Sequence, residues 1–204
     1  MRGANPQFAW LATRMCDRGR GSFRGVGGDR LETERLVLRR WTEKDLEPFA
    51  AMNADPAVME FLAAPLTRAQ SDAFVDRIER TFDERGFGLW ALERKDTSDF
   101  VGFTGLFPVW ADIPPKGEIE VGWRLARPAW RHGFASEAAR AACGFGFGPA
   151  GLDAIMSMTA AINVRSRAVM ERIGMTYDES SDFEHTSLPL GHPLRPHVIY
   201  RLEA

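Results

Sequence analysis

Apolar positions along the chain fall into short alternating stretches separated by longer stretches of helical period. Leu36, Val37 and Leu38 stand between Arg35 and Arg39, a short strand pattern. Thr42 precedes Asp45 by three residues, a capping box, and Leu46, Phe49, Ala50 and Met52 share the apolar side of the helix it opens. Asp55-Pro56 has the form of a second helix start. Thr67 with Gln70 opens a longer helix in which Phe74, Ile78 and Phe82 recur every fourth residue, ending at Gly86. Strand patterns follow at 88–93, 100–107 and 118–127, joined by polar hairpin turns at 95–98 and 112–117. The alanine-rich run 137–142 predicts a helix, 152–161 a buried strand, 163–173 a short helix closed by Gly174, and 175–177 and 197–202 two last strands. This order predicts an α+β fold, a mixed sheet covered by helices.

Residues 1–29 show no such period. Arg2, Arg14, Arg18, Arg20 and Arg24 are mixed there with glycines, which predicts a disordered extension with the Arg-rich, acid-poor character of a transit peptide. The folded domain is expected over 31–204. Hydrophobic residues make up 45% and the formal charge is -2, so the composition suits one globular domain and gives no broad attraction for nucleic acid or an anionic membrane. No apolar run approaches the roughly 18 residues of a membrane span. Cys16 and Cys143 form neither a disulfide framework nor a metal pattern, and His185, His192 and His197 have no compact ligand spacing. No metal is expected, and a reducing cytoplasm fits.

Chemistry concentrates at 130–136, Trp-Arg-His-Gly-Phe-Ala-Ser, between a predicted strand and a predicted helix. Free N–H groups and the dipole at a helix start can receive phosphate oxygens, and Gly133 and Ala135 keep that surface bare. A plain strand-to-helix connection fits the same residues. Neither Gly-x-x-x-x-Gly-Lys-Ser/Thr nor Gly-x-Gly-x-x-Gly with a ribose-binding acid is present, which argues against a nucleotide site.

Three segments taken in order resemble the GCN5-related N-acetyltransferase (GNAT) superfamily, and within it the ribosomal-protein N-acetyltransferase-like branch. They are Thr33-Glu34-Arg35-Leu36-Val37-Leu38-Arg39, the run from Glu120-Val121-Gly122-Trp123 to Ala135-Ser136-Glu137-Ala138, and Asn163-x-x-Ser166 continuing to Gly174-Met175. The resemblance covers 31–204. It implies a mostly antiparallel central sheet with helices on both faces, and acetyl-CoA as co-substrate. Arg131, His132, Gly133, Phe134, Ala135 and Ser136 would cradle the pyrophosphate. The backbone of Val121, Trp123 and Leu125, with the Asn163 amide, would meet the pantetheine arm. Asn163 is equally an ordinary helix N-cap. The implied reaction moves an acetyl group directly to a primary amine, a peptide α-amine or a small amine, within a ternary complex; a non-catalytic acyl-CoA-binding domain is the alternative.

The resemblance implies Glu120 as the base, acting through water, with Glu118 its competitor two residues away. Glu120→Gln is expected to slow the rate mainly at low pH, where a free amine is scarcest. Many superfamily members carry a tyrosine that returns a proton to the CoA sulfur; the aligned residue is Met170, so Ser166 is implied instead. Arg131 replaces the glycine usual in this branch. Asp178, Glu179, Asp182 and Glu184 form either an attraction for a cationic acceptor or a solvated loop. Trp90, Trp110 and Trp123 belong either to the cleft or to the core. A homodimer through an exposed edge of the last strand is a further expectation.

Overall fold

The computed structural model describes residues 28–109, 114–115 and 117–204. Most of the expected N-terminal extension, Cys16, Trp110 and half of the 112–117 turn lie outside the described residues. Gly28 and Asp29, placed in that extension, are tied to the body: the Trp90 indole donates to the Gly28 carbonyl at 2.6 Å, and the Arg40 N–H to the Asp29 carbonyl at 3.2 Å.

The strands are β1 Arg30–Glu32, β2 Leu36–Arg39, β3 Leu89–Arg94, β4 Phe100–Pro108, β5 Ile119–Leu125, β6 Ala154–Ala160, β7 Thr176–Tyr177, β8 Phe183–Glu184 and β9 Pro196–Glu203. They form one sheet in the order β1-β2-β3-β4-β5-β6-β9-β7, with β8 also paired to β9. Every pairing is antiparallel except β5 with β6. β1 and β8 were not foreseen, because three and two residues are too few to show a period. The expected edge on the last strand is not there: β9 has β6 on one side and β7 with β8 on the other.

Four helices cover the two faces: α1 Glu43–Ala54 and α2 Arg68–Arg85 on one, α3 Phe134–Phe147 and α4 Val164–Arg172 on the other. Phe49 of α1 and Phe74 of α2 stack on Phe103 of β4 with ring centroids 6.0 and 5.9 Å apart. Leu106, three residues further along β4, points to the opposite face, where α3 packs. Both capping boxes form, at Thr42 with Asp45 and at Thr67 with Gln70, and Gly86 ends α2 in the left-handed conformation with φ 74°. Asp55-Pro56 does not open a helix. The Asp55 side chain accepts from the Ala57 N–H and its carbonyl from Val58 and Met59, one turn that does not continue as a helix. Trp90 and Cys143 are core residues.

One feature of the sheet creates the site. β5 pairs with β4 along its whole length, from Ile119 opposite Pro108 to Leu125 opposite Gly102. Toward β6 it pairs at a single position, Glu120 opposite Met156. Beyond Glu120 the two strands part, leaving one edge of β5 without a strand partner.

Candidate active site

A cleft of about 1130 Å³ opens where β5 and β6 part. Its wall contains Glu120, Trp123, Leu125, Arg131, Gly133, Phe134, Ala135, Ser136, Asn163 and Ser166. Thus all the site residues expected from sequence line it except Val121 and His132. The Val121 side chain is fully buried, so any role there falls to its backbone. His132 is exposed and stacks on Phe134, 5.5 Å between ring centroids.

The loop at the mouth of the cleft is built by contacts far apart in sequence. Gly133 caps α3 with φ 81°, and Arg131 also has a left-handed backbone, φ 65°. Such alternation gathers successive N–H groups into a concavity suited to an anion. Among the described residues, no protein group accepts from the N–H groups of 131–136. Thr33 and Arg35 hold this arrangement from behind. The Thr33 hydroxyl and the Arg35 N–H donate to one Glu137 oxygen at 2.6 and 2.9 Å, and the Arg35 guanidinium donates to the other at 2.7 Å. Arg35 also donates to the His132 carbonyl at 2.9 Å and lies over the Phe134 ring. Glu137 would otherwise place a negative charge beside the anion site. Burial raises its pKa, but bonds from Thr33 and Arg35 outweigh burial and hold it below the usual carboxylate range. The Trp130 indole closes the loop on the Leu125 carbonyl at 2.8 Å, and the Arg165 guanidinium, paired with Glu60, lies 4.7 Å over the Trp130 ring.

The two competing glutamates have separate fates. Both Glu118 oxygens accept from Arg201, which also pairs with Asp178. Glu120 borders the cleft at the point where the strands part. Its surface opens only to the cleft, and burial pushes its pKa up to about 7, partly offset by a backbone hydrogen bond from Met158. That value moves the expected rate loss of Glu120→Gln from low pH to higher pH. Below about 7 the wild-type carboxyl is itself protonated and a glutamine mimics it, so the difference belongs above 7.

On α4, Asn163 is an N-cap whose oxygen accepts from the Ser166 N–H at 3.2 Å, while its amide nitrogen donates to the Thr159 hydroxyl at 2.9 Å. Ser166 is half-buried on the cleft wall; Met170, one turn on, is fully buried in the core. Ser136 faces the same wall, its hydroxyl accepting from Arg172 at 3.1 Å.

Two acids of the loop, Asp178 and Glu184, are paired with arginines. Asp178 accepts from Ser180, Ser181 and Arg201, Asp182 from Tyr177, and Glu184 pairs with Arg195. Among the described residues no cluster of His, Cys, Asp or Glu could hold a metal, and no helix is long and apolar enough to cross a membrane. In a smaller cleft of about 440 Å³, Asp45 is held by Arg39 and Arg94 by Asp96. Sequence reading missed Arg124, Arg165 and His185 on the main cleft wall. Arg124 had a signal, since it shares a strand face with Glu120. The other two arrive from α4 and the loop before β9, which no local pattern relates to β5. His185 sits 5.0 Å from His197 between ring centroids, and burial lowers the pKa of both, that of His197 to about 4.

Comparison with known proteins agrees with this geometry. Residues 35–176 match the family model described as the acetyltransferase (GNAT) domain. The uncharacterized protein YkkB of Bacillus subtilis is 32% identical over 154 residues, covering 74% of this chain and 87% of that one. The FsC-acetyl coenzyme A-N(2)-transacetylase of Aspergillus fumigatus is 30% identical, covering 79% of this chain and 71% of that one. RimL, a ribosomal L7/L12 alpha-N-protein acetyltransferase solved with coenzyme A, superposes with a TM-score of 0.67 over 85% of this chain and 97% of its own; at 13% identity it attests the fold.

Proposed function

We infer the particular reaction from one premise, that this chain belongs to the acetyltransferase (GNAT) family and is an N-acetyltransferase that uses acetyl-CoA. The observation that carries the proposal is the position of Glu120, a buried carboxyl with a pKa of about 7 at the parting point of β5 and β6. A base of that strength matches an α-amine, whose own pKa is about 7.7 to 8.0, better than a lysine side chain near 10.4. The acceptor is therefore an α-amine, of a peptide or a small molecule. The transacetylase relative carries N(2) in its name, which fits this class.

The residues present fit the co-substrate. Free N–H groups at 131–136 suit a pyrophosphate, each charge-assisted bond worth roughly 1.5 to 3 kcal/mol. The unpaired edge of β5 from Val121 to Leu125 suits the amide groups of a pantetheine arm. At Gly122 a Cβ would meet no protein atom within 4 Å and would stand in the cleft instead. Acetyl-CoA supplies the thioester carbon. Glu120, directly or through one water, takes the proton from the amine as the N–C bond forms. A backbone N–H near Trp123 receives the developing oxyanion. As the C–S bond breaks, the Ser166 hydroxyl donates to sulfur and recovers its proton from solvent; Met170 has no proton to give and lies in the core. Direct transfer, without an acetylated enzyme, fits the one described cysteine: Cys143 is buried in α3 and burial pushes its thiol up to about 12.

The test combines a thermal-shift titration with CoA, acetyl-CoA, ATP and NAD, and thiol release from acetyl-CoA with a panel of peptides, small α-amines and lysine-type amines. Stabilisation by CoA species and thiol release with α-amines are expected. Preferred turnover of lysine-type amines would remove the α-amine assignment.

A further inference from the structure

Arg124 is a charged group in the cleft that the reaction above does not use. It follows Glu120 by four positions on β5, so both side chains leave the same face of the sheet, about 13 Å apart at the backbone. Its guanidinium donates to the Asn53 side-chain oxygen at 2.6 Å and lies 5.4 Å over the Phe103 ring. Asn53 is fully buried and fixed in turn by its amide, which donates to the Ser71 hydroxyl at 3.1 Å. A neutral amide and an aromatic ring orient the fork without neutralising it. Among the described residues no carboxylate pairs with Arg124, and burial lowers its pKa to about 10. The other arginines of the cleft wall differ. Arg165 has Glu60, while Arg127, Arg131 and Arg172 are exposed to water. Enclosing a cation without an opposite charge is unfavourable, and a guanidinium fork held in one orientation is the side chain best suited to grip a carboxylate by two hydrogen bonds.

We propose that Arg124 is the carboxylate-binding residue of the acceptor subsite, and that the acceptor is a short peptide or peptide-like amine carrying a free carboxylate several bonds from its α-amine. The spacing follows from the strand. The two side chains leave the strand about 13 Å apart, which suits an acceptor whose carboxylate stands further from its amine than in a free α-amino acid. Asn53 and Phe103 act as positioning residues for the fork. The proposal rests on the α-amine reading above.

The experiment uses glycyl peptides of one to four residues, each as the free acid and as the C-terminal amide, with acetyl-CoA and the wild-type, Arg124→Gln and Arg124→Lys proteins. For the best length, wild type is expected to favour the free acid over the amide by tenfold or more in kcat/KM. That ratio should fall to within about threefold of one in Arg124→Gln and lie between in Arg124→Lys. CoA-induced thermal shifts establish that each variant is folded. A wild-type ratio near one, or a ratio untouched by Arg124→Gln, overturns the proposal while leaving α-amine acetylation standing. A third arm pairs succinyl-CoA with the peptide amides. A preference for that donor, lost in Arg124→Gln, would place the carboxylate on the donor and also overturn the acceptor assignment. If no peptide in the panel turns over, calorimetric titration of the CoA-loaded protein with triglycine and with triglycinamide decides the subsite alone. Tighter binding of triglycine, abolished by Arg124→Gln, supports it, and equal binding refutes it.

Discussion

At the scale of single residues, Glu120 and Arg131 carry the sharpest expectations. Glu120 is ionised only above about 7, so the wild-type rate should climb through that value as the base forms. Glu120→Gln is expected to lower kcat/KM by roughly 10² to 10⁴-fold above pH 8 and far less below pH 6. A pH-rate profile measured for both proteins checks it, and parallel profiles would exclude Glu120 as the base. Arg131 holds a left-handed backbone that costs a residue with a Cβ about 1 to 2 kcal/mol relative to glycine, partly offset by glycine's greater freedom when unfolded. Arg131→Gly should therefore leave the melting temperature unchanged or raise it. If the exposed guanidinium also meets phosphate, CoA affinity will fall by up to about tenfold and lose part of its salt dependence, since exposed charge pairs are weak and screened. Titrations at two ionic strengths separate backbone from charge.

At the scale of elements, the loop before α3 depends on the turn before β2. Thr33 and Arg35 converge on Glu137 at the first turn of α3, and Arg35 reaches on to the His132 carbonyl. Both segments were recognisable in the sequence as separate parts of a resemblance; that they brace one another was not, because 102 positions separate Arg35 from Glu137. Glu137→Gln leaves α3 its helical sequence but weakens that brace. It should destabilise the fold by about 1 to 3 kcal/mol and loosen CoA binding more than it lowers kcat at saturating acetyl-CoA. Denaturant melts and a KM-against-kcat comparison test this. Helix boundaries were legible wherever a cap was written in adjacent residues, as at Thr42, Thr67 and Gly86. Asp55-Pro56 misled because the same local chemistry also serves an isolated turn.

At the scale of the whole molecule, the charge on Glu120 opposes the stability of the fold that holds it. A carboxyl raised from its ordinary 4.5 to about 7 binds a proton in the folded protein that the unfolded chain has released, so stability falls as pH rises through that window. Asp45 acts in the opposite sense. Burial raises its pKa, but bonds from Arg39 and Thr42 outweigh it, so its contribution is present above the ordinary carboxylate value and lost in acid. Glu120→Gln should accordingly melt higher than wild type at pH 8 and alike at pH 4.5, a contrast read from melts across that range. The sequence by itself determined the order of the four helices and the longer strands and picked out the loop at 130–136 with most of the residues that line the cleft, because those are written in short-range periodicity, caps and contiguous motifs. Only the tertiary structure paired Glu118 with Arg201 and left Glu120 on the cleft wall, turned Met170 into the core, and set Arg124 without a carboxylate partner in the same cleft. Each of those depends on which distant charge or apolar surface a side chain meets, and for Glu118 that partner, Arg201, lies 83 positions away. The parting of β5 from β6 is decided at the same level, because a strand's own residues fix which faces are apolar and not where its neighbour stops pairing with it.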